Sequence, residues 1–361
     1  MQKISHSAKE KYLTCGKMYD LHYNQKIRSK FVSSALVWGS AIDVAINGLL
    51  EGKSVQECNM IFETAWYSAI INNEEIILSS SHIVQYYKAD CNVDLLNEDD
   101  IKVLNFFTKD SKMDVKSILF IIVENLGREM EFASENDLKL FQKAAWLSLR
   151  QKGLMFIKTY SEKIIPLFNE IVKIQVPVEL NDESGNAKIN GFADFIATLK
   201  TAPDVRIIFD NKTASKPYKQ DSVETSEQLA LYNFVLSEQY NTSMAGYIVL
   251  NKNPKKLVHS RTCFKCKKDY STTSRKIVCD NKKCNGNIYE KSELVIDFQI
   301  LTAKISQEKE QETLTIMANT VDKIVEAEFE PNYDACKFQF GKKCVYFDLC
   351  HKDSMEGLVK L

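Results

Sequence analysis

Two acids and a lysine carry the most chemistry in this chain. Gly191-Phe192-Ala193-Asp194 closes one apolar run, and Val205 to Phe209 leads into Asp210-Asn211-Lys212. Side chains alternate between the faces of a strand. Val205, Ile207 and Phe209 therefore share one face, and Asp210 and Lys212 share the other. A carboxylate beside an ammonium suits a metal ion and the water it activates. Two hard carboxylate oxygens in one place are what Mg²⁺ or Mn²⁺ prefers. Taken alone, the triplet also reads as an exposed turn with an incidental ion pair. Downstream, Gln228 and Tyr232 lie four residues apart and share one helix face.

These residues need particular elements to meet. Residues 171–180, 188–198 and 205–212 have the pattern of strands. Ala202-Pro203-Asp204 reads as the turn of the hairpin that brings Asp194 toward Asp210. Residues 227–239 read as a helix, followed by strands at 244–251 and 294–301. Upstream, Ser7 and Glu10 form a capping-box pattern that predicts a helix from Ala8. Ile42, Ala45, Ile46 and Leu49 repeat at helical spacing, with Asp43 standing off that face near Asn47. Further amphipathic helices are expected at 54–71, with Met60, Ile61, Ala65 and Trp66 inward. Two more are expected from Ser134 to Ile164 and over 306–330 before Pro331. Cys58, Cys91 and His82 are isolated, and the region 72–116 is polar and broken.

Eight of the ten cysteines fall into two sets. Cys263, Cys266, Cys279 and Cys284 form two close pairs, which suits tetrahedral zinc in a ribbon. The surrounding 252–283 holds eleven Lys and Arg against two Asp. Phe264 and Tyr270 lie among those charges and could stack on bases. The competing reading is a zinc-stabilised knob whose lysines are simply solvated. The second set is Cys336, Cys344 and Cys350 near one end with Cys15 near the other. Four cysteines alone do not separate an iron–sulfur cluster from zinc, and Cys15 by itself reads equally as a buried core thiol.

The order G-x-x-D at 191–194, D-x-K at 210–212 and Q-x-x-x-Y at 228–232 resembles the PD-(D/E)XK nuclease superfamily. The string S-x-S-A-K-x-x-Y-L-x-C at 5–15, with the late cysteines, resembles its RecB-like branch. That branch includes the CRISPR-associated RecB-like exonucleases and many phage exonucleases. The resemblance implies a restriction-endonuclease-like α/β core, a mixed sheet flanked by helices, over 1–251 and 294–361. Residues 252–293 would be a zinc-ribbon insertion. It implies a metal-dependent DNA exonuclease of recombination, repair or phage replication, and partners in those processes. Asp194 and Asp210 would bind Mg²⁺ or Mn²⁺, with the Asn211 carbonyl and Asp43, which stands where the branch has histidine. Lys212 would serve the attacking water, and Gln228 and Tyr232 would hold DNA, either a single strand or a duplex end. Cys15, Cys336, Cys344 and Cys350 would hold a [4Fe–4S] cluster. The aspartate at 43 also supports an alternative, an inactive nuclease fold that binds DNA through its ribbon.

Composition sets the frame. The 361 residues are 45% hydrophobic and 26% charged, with a net charge of −1. Such a chain is globular, and any affinity for nucleic acid must come from local patches. No apolar run approaches the ~20 residues of a membrane span. The first residues lack a signal-peptide hydrophobic region, so a cytoplasmic location is expected, that of the host if the source is viral.

Overall fold

The computed structural model describes residues 2–29, 32–72, 76–77, 149–150, 152–181, 187–214, 216–252, 254–281, 283–284, 286–336 and 344–361. The expectations for Cys91, His82 and the helix start at Ser134 lie outside these residues.

A short strand β1 (Gln2–Ile4) opens the chain and leads into α1 (His6–Thr14) and α2 (Gly16–Tyr19). Ser5 caps α1 by accepting from the Ala8 N–H at 3.2 Å. The cap is therefore two residues earlier than the Ser7 pattern predicts, because Ser5 is the last extended residue. After β2 (Ile27–Ser29) and β3 (Val32–Ser33) come α3 (Ser34–Leu50), α4 (Val55–Asn72) and β4 (Ile76–Ile77). Met60 of α4 is 60% exposed and not inward as its spacing suggests, whereas Phe62 and Trp66 are fully buried. Helical residues 152–159 run into a π-helical turn, Tyr160–Ile164.

The central sheet follows: β5 (Phe168–Asn181), β6 (Ala187–Leu199), β7 (Ala202–Ala214), then α5 (Asp221–Glu224), α6 (Glu227–Tyr240) and β8 (Thr242–Asn251). A second, three-stranded sheet is built from β9 (Lys255–Cys263), β10 (Asp269–Tyr270) and β11 (Ile288–Val295). β12 (Phe298–Ala303) returns to the central sheet, and α7 (Gln307–Val325), α8 (Phe347–Lys352) and β13 (Leu358–Lys360) complete the chain.

The central sheet is mixed. Its order is β1-β6-β7-β8-β12, with β5 also paired to β6. β6 and β7 are antiparallel, β7 and β8 parallel, β8 and β12 antiparallel. Alternation along each strand splits the core in two. Phe195, Ala197, Ile207, Phe209, Ile248 and Leu250 pack with α3, α4 and the helical residues 152–164. Ile196, Ile208, Tyr247 and Val249 pack with α1, α6 and α7. Helices thus cover both faces of one mixed sheet. This is the restriction-endonuclease-like architecture that the resemblance implies.

Three expected boundaries shift. The β6–β7 turn is at Lys200-Thr201, and Ala202-Pro203-Asp204 already belong to β7, paired through Leu199↔Ala202. The stretch 294–301 is two strands, because β11 belongs to the small sheet and residues 296–297 break the chain before β12. Helix α7 ends at Val325, short of Pro331, and Ala327 takes a left-handed φ of 59°.

One close approach tests the packing of the first face. A Cβ at Gly153 would come within 2.1 Å of the Phe62 ring. Gly153→Ala gains helix propensity but overpacks this contact, at a cost of about 1–3 kcal/mol. Urea unfolding checks this. Combining it with Phe62→Leu recovers part of the loss if ring contact is the cause, and no recovery counts against it.

Candidate active site and metal centres

The register Phe195↔Phe209 sets Asp194 beside Asp210 across the β6–β7 pair. The Asn211 N–H donates to Asp194 Oδ2 at 2.6 Å. Lys212 Nζ lies 2.5 Å from Asp210 Oδ2 and donates to Gln228 Oε1 at 2.9 Å. Gln228 Nε2 reaches both Asp210 Oδ1, at 3.1 Å, and Tyr232 OH, at 2.8 Å. One amide of α6 therefore ties the acid, the lysine and the tyrosine together. Asp43 of α3 lines the same cleft of about 440 Å³ as Asp194, Asp210, Asn211 and Lys212. Gln228 and Tyr232 sit behind the two β7 charges. Tyr232 is buried, and its ring rests against Gly191, where a Cβ would lie 3.6 Å from it.

Electrostatically the cleft is crowded with negative charge. Burial, then Asp210, pushes the Asp194 carboxyl up to about 8, although the Asn211 N–H opposes the shift. Burial also raises Asp210, partly offset by Lys212, and burial with Asp210 raises Asp43. Burial by itself would lower Lys212, but the Asp210 carboxylate more than compensates and holds the ammonium protonated. Three carboxyls whose ionisation burial opposes thus line one cleft, offering hard oxygen donors, although their oxygens do not draw as close together as the sulfurs described below.

Several supporting residues carried no sequence signal of a role. Tyr160 fits its helix as an apolar-face residue, and its ring is fully buried. Its hydroxyl nevertheless donates to Asn211 Oδ1 at 2.9 Å. Lys9 is fully buried and ion-paired with Glu227, the first residue of α6. Tyr247 places its ring under the Lys212 ammonium, 5.6 Å from the centroid, and its hydroxyl lies 2.5 Å from Ser226 Oγ, the cap of α6. The spacing of hydrophobic residues encodes burial, and it is silent about which hydroxyl or ammonium turns inward.

The small sheet holds a second donor set. Cys263, Cys266, Cys279 and Cys284 bring their sulfurs within 4.8 Å of one another, the sole such group among the described residues. Cys263 and Cys284 are 3.5 Å apart, Cys266 and Cys279 3.6 Å. With metal–sulfur bonds of about 2.3 Å, a tetrahedral ion separates its sulfurs by roughly 3.8 Å, so the set fits one ion. The Cys266 N–H, directed at Cys263 Sγ, is the main cause that lowers that thiol to about 6. A Cβ at Gly286 would fall 2.9 Å from Cys263 Sγ, so only glycine leaves the cradle open. Tyr270 is half-buried, with its hydroxyl turned toward the cysteines. Its hydroxyl donates to Cys279 Sγ at 3.1 Å and to Asp280 at 2.8 Å.

The third donor set joins the chain ends. Cys15 Sγ accepts from the Asn332 N–H at 3.3 Å, and the Cys336 thiol faces the Asn332 carbonyl at 3.8 Å. The Cys344 N–H bonds the Cys336 carbonyl at 3.0 Å. Burial raises the Cys336, Cys344 and Cys350 thiols, and the charge of Cys15 adds to each. The four are neighbours, but they spread wider than the sulfurs around a single ion.

A mixed sheet flanked by helices, with two acids and a lysine at one cleft, defines the class as a nuclease-type α/β fold. The family model of the PD-(D/E)XK nuclease superfamily matches residues 105–351, well over half of the chain, and the protein belongs to that superfamily. Nucleases of this superfamily use divalent metals and act on DNA. No curated protein matches the sequence. Among the described residues, no helix is long and apolar enough to cross a membrane.

The carboxyl cluster fixes the sign of a pH effect. An unfolded Asp titrates near 4, and folded Asp194 near 8. Its contribution to stability is complete below about pH 4 and is lost as the pH rises through about 8. Without added Mg²⁺ the Tm should fall between about pH 5 and about pH 8.5. Mg²⁺ should raise it most at the alkaline end, because binding requires ionised ligands. Asp194→Asn should flatten both trends. An equal Mg²⁺ effect at both pH values would count against this cluster as the ion's site.

Proposed function

We propose that the chain is a metal-dependent DNA exonuclease of the RecB-like branch, acting in recombination, repair or phage replication. The observation that carries this reading is the single cleft holding Asp43, Asp194, Asp210 and Lys212. Asp194 and Asp210 would hold the divalent ion, with the Asn211 carbonyl and Asp43. When bound, the ion lowers the pKa of a water molecule and neutralises charge at phosphorus. Asp43 replaces the branch's histidine with a harder ligand, suited to Mg²⁺.

The protein's own groups supply the rest. Lys212 stays protonated beside Asp210. Lys212 would orient or help deprotonate the attacking water and offset charge developing on the phosphate. Gln228 keeps Lys212 and Asp210 in register. Tyr232, buried behind it, is a positioning residue and not a DNA contact. Tyr160 fixes Asn211 from the other face of the sheet, and so the direction of the Asn211 backbone.

Two structural metal sites belong to this reading. Cys15, Cys336, Cys344 and Cys350 would hold a [4Fe–4S] cluster, and their wide spread supports a cluster over a single zinc ion. It would close the loop between the chain ends, where Gly16 packs against Glu330 and the Lys17 N–H bonds the Glu330 carbonyl at 3.2 Å. Residues 252–293 would be a zinc-ribbon insertion. A cytoplasmic location, that of the host for a phage protein, and recombination or replication partners complete the proposal.

Incubation with linear and circular DNA in Mg²⁺ or Mn²⁺ tests the activity. The wild type should degrade linear DNA from its ends and spare closed circles. Asp210→Ala and Lys212→Ala should each lower the rate about 10²–10³-fold or more. Tyr160→Phe should weaken metal activation about tenfold at nearly unchanged stability. Cleavage of circles would replace exonuclease with endonuclease action, and intact substrates in both metals would end the enzyme reading.

Metal content tests the cysteine sets separately. Anaerobically purified protein should be brown and contain iron together with zinc. Cys344→Ser should lose the colour and keep the zinc, whereas Cys279→Ser should do the reverse. Zinc in place of iron in the wild type would assign both sets to zinc.

A further inference from the structure

The small sheet is rooted beside the cleft. In the β7–β8 pairing, Lys212 stands opposite Val249 and Ala214 opposite Asn251. The next residue, Lys252, donates its N–H to the Ala214 carbonyl at 2.7 Å. A strand advances about 3.3 Å per residue. The chain therefore leaves the core roughly 7 Å along β7 from the active-site lysine. The returning strand is held at the same point, where Asp297 accepts the Asn251 N–H at 2.8 Å and pairs with Lys255. A nucleic-acid strand with one phosphate in the cleft would lie within a few nucleotides' reach of this root.

What the small sheet shows to solvent exceeds what a metal knob requires. The ion needs four cysteines and Gly286. The surface also offers Phe264, 74% exposed, and Tyr289, 66% exposed. Tyr289 pairs with Thr262 and so stands on the face opposite that of Cys263. Lys267 lies over the Phe264 ring, 5.1 Å from its centroid. Lys265, Arg275 and Lys283 are exposed and have no carboxylate partner among the described residues. Asp280 is engaged by Lys268 and Lys276 and Glu290 by Arg261, while the exposed Asp269 accepts a hydrogen bond from the Thr262 hydroxyl at 2.9 Å. The net charge of −1 for the whole chain makes everything outside 252–283 acidic on balance. The cationic surface is thus concentrated on this one projection.

We propose that this projection is an arm that binds single-stranded DNA and holds the strand running into or out of the cleft. The proposal rests on the nuclease reading and adds its substrate form. Bases stack on Phe264 and Tyr289, while Lys265, Lys267, Arg275 and Lys283 meet the phosphates. The occupant is a single strand because base faces are buried inside a duplex and open on an unstacked chain. Cation and ring side by side match the alternation of phosphate and base.

The test uses full-length, zinc-loaded protein carrying Asp210→Ala, so that DNA survives the measurement. Fluorescence anisotropy reports binding of a labelled oligo-dT of about 20 nucleotides and of a hairpin-closed duplex of similar length. Adding Phe264→Ala and Tyr289→Ala should weaken oligo-dT binding at least tenfold, as expected from about 1–3 kcal/mol per stacked base, and duplex binding much less. Lys265→Ser with Lys283→Ser should lower the salt dependence of log K by about 1.4, or about 0.7 per single-strand phosphate contact. Zinc content of each variant reports whether the sheet has folded. If the aromatic pair proves necessary for zinc retention, the lysine variants decide through the salt slope. Oligo-dT affinity within twofold of the parent, with zinc retained, overturns the proposal and points to a protein partner at the tip. Equal losses on oligo-dT and duplex overturn the single-strand assignment. Failure of the Asp210-intact protein to cut any DNA overturns the nuclease reading alone, since binding by the arm is read independently.

Discussion

The constraint on which this molecule turns is the confinement of three carboxyl groups to one cleft. Asp194 and Asp210 are adjacent because the β6–β7 register makes them so, and Asp43 faces them from α3. Such crowding is unfavourable in any protein that leaves it uncompensated. Compensation here is partial and directional. Lys212 answers Asp210, the Asn211 N–H answers Asp194, and Asp43 is left with burial and the charge of Asp210. A site balanced this way keeps an appetite for one more cation and is rigid enough not to relax around the deficit. The rigidity has a visible source. The strands carrying both acids bury Phe195 stacked on Phe209, with ring centroids 5.2 Å apart, and neither can rotate outward without opening the core.

Positioning then passes outward through α6. Its first residues do three jobs at once: Ser226 caps the helix, Glu227 takes the buried Lys9, and Gln228 holds Asp210 and Lys212. Lys9 is fully buried and its ammonium is shared between Glu227 and the exposed Glu10, 2.9 Å away, so losing Glu227 would leave it a weaker, solvated partner, and the pair links α1 to α6. α1 is in turn tied to the far end of the chain, where the Tyr12 hydroxyl bonds the Glu328 carbonyl at 2.6 Å and Asn332 reaches the Cys15 sulfur. The chain ends therefore bear on the cleft through a continuous set of contacts. A cluster at the terminal cysteines would reinforce a linkage that packing already makes.

The legibility of the sequence followed from its periodicities. Alternation over 205–212 put Asp210 and Lys212 on one face, and the helical repeat put Gln228 four residues from Tyr232. Those geometries are local, so the residues that obey them could be read without the fold. The inward roles of Tyr160 and Lys9 depend on partners 51 and 218 residues away. No local rule reaches that far. The misplaced turn at Ala202-Pro203-Asp204 has a related cause. Proline marks a turn by propensity, but it is equally at home at the start of a strand, where its missing N–H costs nothing. The strand expected over 294–301 failed because two sheets share that stretch, and an apolar run does not record which sheet it serves.

The small sheet differs from the core in what holds it together. Its buried set is Cys263, Cys279 and Cys284, with Tyr270 packed against them. Among the described residues no aliphatic cluster lies beneath it, and a segment of about 40 residues without one requires disulfides, a metal or a partner to fold. Its cysteines are free thiols. An ion on the four sulfurs, as proposed, would supply the order in this part, whereas order in the central sheet comes from two apolar layers. The two parts meet through the backbone bonds of Asn251 and Lys252 and the Lys255–Asp297 pair. Loss of the ion on the sulfurs would then release the arm while leaving the cleft intact. Loss of the cation in the cleft would restore charge repulsion at Asp194 and Asp210 while leaving the arm folded. Under the proposed reading, the placement of substrate and the chemistry performed on it would depend on different metals on one strand pair.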